Sequence, residues 1–184
     1  SYKYLNPNQD HYTIVTREDE DSSGFECYNT DVISIKVDNR ASAKTIDDST
    51  LRTYDLAVAC TGEYSQFHIN QAGANNATDD VKKDVVLAAM VVTIDRVNQV
   101  YNNDLAIQLN LIANNRDLIF LDAATDPYEN TDPSQLINNN TSVINGIIGS
   151  SAYDLGHVFS TGGGGVAALG SVCTGFKGAG VTGL

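Results

Sequence analysis

Leu155–Cys173, LGHVFSTGGGGVAALGSVC, is the stretch whose reading decides the fold. Leu155, Val158 and Phe159 open it as a strand. Gly162 to Gly165 follow, a run that costs backbone entropy and brings no side-chain packing. Such a run is kept where the backbone turns sharply or where another backbone comes close. The residues behind it, Val166 to Leu169, are small and apolar, and Gly170 and Ser171 close them off. That combination suits an edge strand whose free amides and carbonyls pair with an extended peptide. The plain alternative is a glycine-rich hairpin loop. A further alternative takes Gly162, Gly164 and Ala167 as the GxGxxA loop of a nucleotide-binding module. That reading needs a helix after the glycines and an acidic ribose ligand about 20 residues on, where this sequence has no carboxylate.

Immediately upstream, Pro133 suits the first turn of a helix capped by Thr131 or Asp132. Leu136, Ile137, Val143, Ile144, Ile147 and Ile148 give this helix an apolar face, and Gly149 ends it. Leu118 to Leu121, LIFL, reads as a buried strand, and Leu105 to Ala113 alternates like a half-buried one. Before it, Thr78 caps a helix running from Asp79 to about Tyr101, with Asp79 and Asp80 in the first turn where the macrodipole favours them. Val85, Ala88, Ala89 and Val92 form one stripe, Met90, Ile94, Val97 and Tyr101 a second, so this helix packs on a sheet. Asp95 and Arg96 face solvent. Leu56 to Cys60 is a central strand, and His68 to Asn76 a loop. The result is an α/β fold: a mixed five-stranded twisted sheet with two helices.

Further toward the N-terminus, His11–Val15 and Asp31–Asp38 alternate as short strands. Asn39–Thr50 is small and polar, a linker that separates residues 1–48 from residues 49–184. The chain has 184 residues and a net charge of −12, from 11 Lys and Arg against 23 Asp and Glu. Nucleic-acid phosphates and anionic membrane surfaces call for the opposite balance. No run approaches the roughly 20 apolar residues of a membrane-spanning helix. Cys27, Cys60 and Cys173 make an odd count with no CxxC pair, and His11, His68 and His157 fall in no HxH or HExxH spacing. His68 and His157 are therefore read as structural or surface residues. Asn76, Asn139 and Asn140 each head an N-x-[ST] sequon.

Several separate phrases agree, in order, with one family. LRTYDLAVACTGEYSQFH (Leu51–His68), VVTIDRVNQVYNNDLAIQLNLIAN (Val91–Asn114), DAATDPY (Asp122–Tyr128) and YDLGHVFSTGGGGVAALGSVC (Tyr153–Cys173) resemble the bacterial, secreted, reprolysin-like branch of the metzincin zinc endopeptidases. KGAGVTGL (Lys177–Leu184) is similar to that family's approach to its active-site helix. The resemblance implies a secreted hydrolase made as a zymogen, in which a zinc-activated water attacks the peptide carbonyl. Residues 49–184 would be the upper half-domain, whose last strand is the edge that pairs antiparallel with substrate. Gly165, Val166, Ala167, Ala168, Leu169 and Gly170 would be that substrate-binding strand. The HExxHxxGxxH zinc helix is expected beyond Leu184, in a C-terminal half that joins this one as partner, so this chain alone is expected to be inactive. Residues 1–48 resemble the end of a pro-segment, with Cys27 either a latency ligand to zinc or a disulfide or inert thiol. Asp55 falls where relatives place an acidic calcium ligand. The reading from another class is a non-enzymatic binding domain that uses the edge strand alone.

Overall fold

The computed structural model describes residues 2–4, 12–14 and 50–183. β1 (Tyr2–Tyr4) and β2 (Tyr12–Ile14) pair antiparallel with Lys3 opposite Thr13, so the alternation of His11–Val15 does form a strand. The Asp31–Asp38 strand, the linker up to residue 49 and Cys27 lie outside the described residues.

The main sheet is built on β3 (Arg52–Cys60). From Leu56 to Cys60 no residue is more than 3% exposed, the burial on both faces that a central parallel strand requires. β4 (Ile107–Leu111) and β5 (Leu155–Phe159) flank it in parallel, with Leu56 opposite both Leu111 and Leu155. β7 (Gly180–Thr182) lies parallel to β5, and β6 (Gly165–Ala167) pairs antiparallel with β7, giving the order β4-β3-β5-β7-β6. The mixed five-stranded sheet is as read from the sequence. Its last strand is not its edge, however. Gly180–Thr182, within the phrase Lys177–Leu184, inserts as β7 between β5 and β6.

Among the described residues three α-helices cover the sheet rather than two. α1 (Gly62–Gln71) occupies a stretch read partly as loop. Its sequence has no apolar period, and it is held from outside. Thr61 Oγ1 accepts from the Tyr64 amide, the Gly62 N–H donates to Asp126 Oδ2 at 2.6 Å, and Tyr64 and Ile69 are buried. α2 (Asp79–Leu105) begins at the Thr78 cap but runs four residues past the expected end, because Asn102 and Asn103 are accommodated in its last turn. Ala106, in the left-handed region at φ 52°, stops it. Its buried line is Val86, Met90, Ile94 and Asn98, at intervals of four residues; Met90 and Ile94 of the second expected stripe are on it and Val97 packs beside it, whereas the first stripe is not the buried one and its Val92 is 51% exposed. Asp95 and Arg96 do face solvent. α3 (Pro133–Ile148) starts on Asp132, whose Oδ1 accepts from the Ser134 and Gln135 amides, and ends at Gly149.

LIFL is not a strand. Asn115–Leu118 forms a 3₁₀ turn, and Ile119 makes a single bridge to Cys60. The Asn115 side chain already occupies the β3 backbone at Val58, which leaves space for one bridge only. α1 and α2 pack with Leu56, Val58 and Cys60 on one face of the sheet. α3 packs with Ala57, Ala59 and Val158 on the other.

Candidate substrate-binding edge

β6 stands at the margin of the sheet with β7 on one side only. The Gly183 N–H donates to the Gly164 carbonyl at 2.7 Å and the Ala168 N–H to the Ala179 carbonyl at 2.9 Å. In an antiparallel pair alternate residues turn their backbone groups to the same neighbour, so residues 164, 166 and 168 face β7. Gly165 and Ala167 therefore direct N–H and C=O away from the sheet. The strand is shorter than the expected Gly165–Gly170. Beyond Ala168 the chain turns away, Gly170 takes φ 68°, and Leu169 stands 75% exposed. The nucleotide-loop alternative loses its helix here, since Gly165–Ala167 is extended.

The glycine run has a packing reason. A Cβ on Gly162 would lie 2.7 Å from the Asn130 carbonyl oxygen, and one on Gly183 would fall on the Gly162 carbonyl. Gly164, at φ 91°, makes the turn into β6. On the outer side of this loop sits the buried Asn130. Its Oδ1 accepts from Thr61 Oγ1 at 2.8 Å and from the Thr161 amide at 2.9 Å, and its Nδ2 donates to Thr161 Oγ1 at 2.8 Å.

A groove of about 510 Å³ opens between α2 and the sheet face, running from Ile107 and Leu109 on β4 across to Thr182 on β7. Tyr54, Leu56, Ile94, Val97 and Phe159 line it, with no Lys, Arg, Asp or Glu among the lining residues. His157 lies in it. Part of its surface is open to the groove, but its ring nitrogens are enclosed. Nε2 is 2.8 Å from Thr182 Oγ1, and a Cβ on Gly180 would come 2.5 Å from Nδ1. Desolvation pulls its pKa from 6.5 down to about 4, so the ring is neutral at physiological pH.

The other residues singled out from the sequence are scattered. Asp55 is exposed on β3, and its N–H donates to Asp154 Oδ2 at 2.9 Å. His68 packs edge-on against Tyr64 and Phe67, its Nε2 has no hydrogen-bond partner, and burial lowers its pKa. Cys60 is fully buried with Sγ 3.3 Å from Ser65 Oγ; desolvation pushes its thiol up to about 11 and keeps it inert. Cys173 is an exposed free thiol. Asn140, which heads one of the sequons, is buried: Tyr128 donates to its Oδ1 at 2.7 Å, and its Nδ2 donates to the Gly178 carbonyl at 2.7 Å.

A family model described as metallo-peptidase family M12B, reprolysin-like, matches residues 87–183, just over half of the chain. The chain belongs to the reprolysin-like metallopeptidases. No curated protein matches it. The match runs from the middle of α2 to the end of β7 and so takes in the candidate edge. The metal that such peptidases use does not fit the described residues. Among the described residues, no three His, Cys, Asp or Glu side chains come together as a cation site. His157 is committed to Thr182, and His68 is enclosed by two aromatic rings.

Sequence reasoning missed the asparagines. Asn98, Asn115, Asn130 and Asn140 are all buried, and each fixes backbone or hydroxyl groups of a neighbouring element. The available signal was an asparagine on the apolar line of a helix, as Asn98 is at four residues from Ile94.

Proposed function

We propose that this reprolysin-like chain is the substrate-binding part of a secreted, zinc-dependent endopeptidase. The outward N–H and C=O groups of Gly165 and Ala167 carry the reading. They match the spacing of an extended peptide laid antiparallel along β6, which would bind through main-chain bonds and read little side-chain identity. The pairing holds the peptide straight and fixes where its carbonyls lie. Zinc and its ligands come from a C-terminal half outside residues 1–184, and the uncharged groove beside α2 offers that half an apolar surface to cover. Calcium at Asp55 would likewise draw its further oxygen ligands from there. Cys27 in the pro-segment is the candidate latency ligand; Cys27→Ser in the full-length precursor would give early activity, and unchanged latency would remove it from that role.

The test of the edge is a titration of the 184-residue chain with a capped, uncharged pentapeptide of alternating valine and serine, followed by amide NMR. Saturable shifts of the Gly165 and Ala167 amides, with the β4 amides unmoved, are expected. Shifts confined to the groove residues, or none at all, would overturn the edge as binding site.

A further inference from the structure

We infer that Asn130 is the positioning residue for the substrate strand, acting through the glycine loop on the pose of β6. This rests on the reading of β6 as that strand. Asn130 sits in the loop between the 3₁₀ turn and α3, far in sequence from the residues it holds. One side-chain amide joins three elements. Through Thr61 Oγ1 it is tied to the cap of α1 and the end of β3. Through the N–H and hydroxyl of Thr161 it is tied to the chain just after β5. Its own carbonyl oxygen is the floor on which Gly162 rests, at a distance that admits no side chain.

The opposite side of the loop is closed by Gly183, whose N–H holds the Gly164 carbonyl and whose Cα lies against Gly162. Residues 162–164 are thus clamped between Asn130 and the end of β7. β6 begins at the next residue. A strand with three residues and one neighbour has little of its own to fix its angle and height. Its placement is inherited from the clamp. Thr61 N–H also donates to the Phe159 carbonyl, so the clamp is referenced to the central strands rather than to a surface loop.

Alanine at residue 130 removes all three side-chain bonds. Asn130→Asp keeps both acceptor bonds, and its second oxygen can accept a hydrogen bond from the Thr161 hydroxyl in place of the one that Nδ2 donates. Thr161→Val deletes only the hydroxyl end and is the milder variant should Asn130→Ala fold poorly. The experiment is residue-resolved amide exchange on the 184-residue chain, with the valine–serine pentapeptide titrated in parallel. Exchange at Val166 and Ala168, the inward amides of β6, is expected to rise at least tenfold in Asn130→Ala and severalfold in Thr161→Val. The β3–β4 amides should hold their protection, and Asn130→Asp should return close to the parent. Peptide affinity should fall in step with the exchange. Parent-like exchange of β6 in Asn130→Ala would overturn the inference, as would an increase spread equally over β3 and β4. A parent chain that takes no peptide would sink the substrate reading alone, because the exchange comparison judges the clamp without any peptide.

Discussion

The two margins of the sheet are built differently. At the β4 margin, Asn98 reaches up from α2 and treats Leu109 as a strand would: the Leu109 N–H donates to Oδ1 at 2.8 Å and Nδ2 donates to the Leu109 carbonyl at 2.9 Å. Where β4 ends, Asn115 does the same for Val58, at 2.7 and 3.0 Å. A primary amide carries the same donor and acceptor as a peptide group, so these two side chains stand in for a neighbouring strand at Leu109 and Val58 and close the middle and the end of that margin. The β6 margin has no such closure among the described residues; its outward groups at Gly165 and Ala167 face away from β7. Closure is thus a local option that this chain exercises on one side. The open side therefore invites a functional explanation, since an exposed strand edge is a liability that proteins otherwise cover.

The largest expected effect is at Asn115, which is 1% exposed. Asn115→Leu keeps the volume but strands a buried N–H and a buried C=O, so urea unfolding should show a loss of roughly 2–5 kcal/mol. A loss under about 1 kcal/mol would break the comparison, because the amide would then be incidental. Asn98→Leu makes the same lesion at a margin nearer solvent, and roughly 1–3 kcal/mol is expected. This variant should also gain affinity for the extended pentapeptide at β4, visible as new shifts at Leu109. Absence of those shifts would show that the α2 helix, not the amide, guards that margin.

A smaller effect comes from His157, which bridges β5 and β7 on the open half of the sheet. Its folded pKa, about 4, lies below its ordinary 6.5. The unfolded chain therefore takes up the proton first as pH falls. The stability this ring contributes is complete above about 6.5 and is lost progressively toward pH 4. Because the groove is open to water, roughly 1–2 kcal/mol of that slope is expected to vanish in His157→Gln, measured by urea unfolding from pH 7 to 4. An unchanged slope would mean that the ring is solvated in both states. The smallest effect on stability is Ala167→Pro. Its N–H points outward, so no β7 bond is lost and stability should change by less than about 1 kcal/mol, while peptide binding should disappear. Val166→Pro, which deletes an inward donor, should do the reverse in order of severity. Equal stability losses in the two variants would refute the assigned alternation.

Much of this frame was legible. Leu56–Cys60 is apolar without interruption, and only a strand buried on both faces has use for that. Thr78, Asp132, Pro133 and Gly149 mark helix ends through side-chain and backbone chemistry that does not depend on tertiary contacts. The glycine run pointed to the edge because a close backbone approach leaves a compositional trace. The failures were cases where tertiary structure overrode local pattern. α1 has no apolar stripe and is fixed by Asp126 and Asn130 from a distant loop. LIFL has every mark of a strand, yet a side-chain amide had taken its pairing position. The edge itself was placed correctly but drawn too long, because nothing in Ala168–Gly170 signals that its partner β7 has only three residues.

β3 carries a consequence for the order of assembly. Both of its neighbours come from far downstream in the chain: Arg52 meets Ile107, and the Asp55 N–H donates to Asp154, 99 residues away. Neither pairing is local, and both must close large loops before they yield any hydrogen bonds. Chains with such distant pairings reach the native state slowly, in milliseconds to seconds rather than microseconds. During synthesis the apolar Leu56–Cys60 segment must wait for β5 to be made, at roughly 5–20 residues per second. For those seconds its apolar residues stand uncovered, as those of a chaperone's client do.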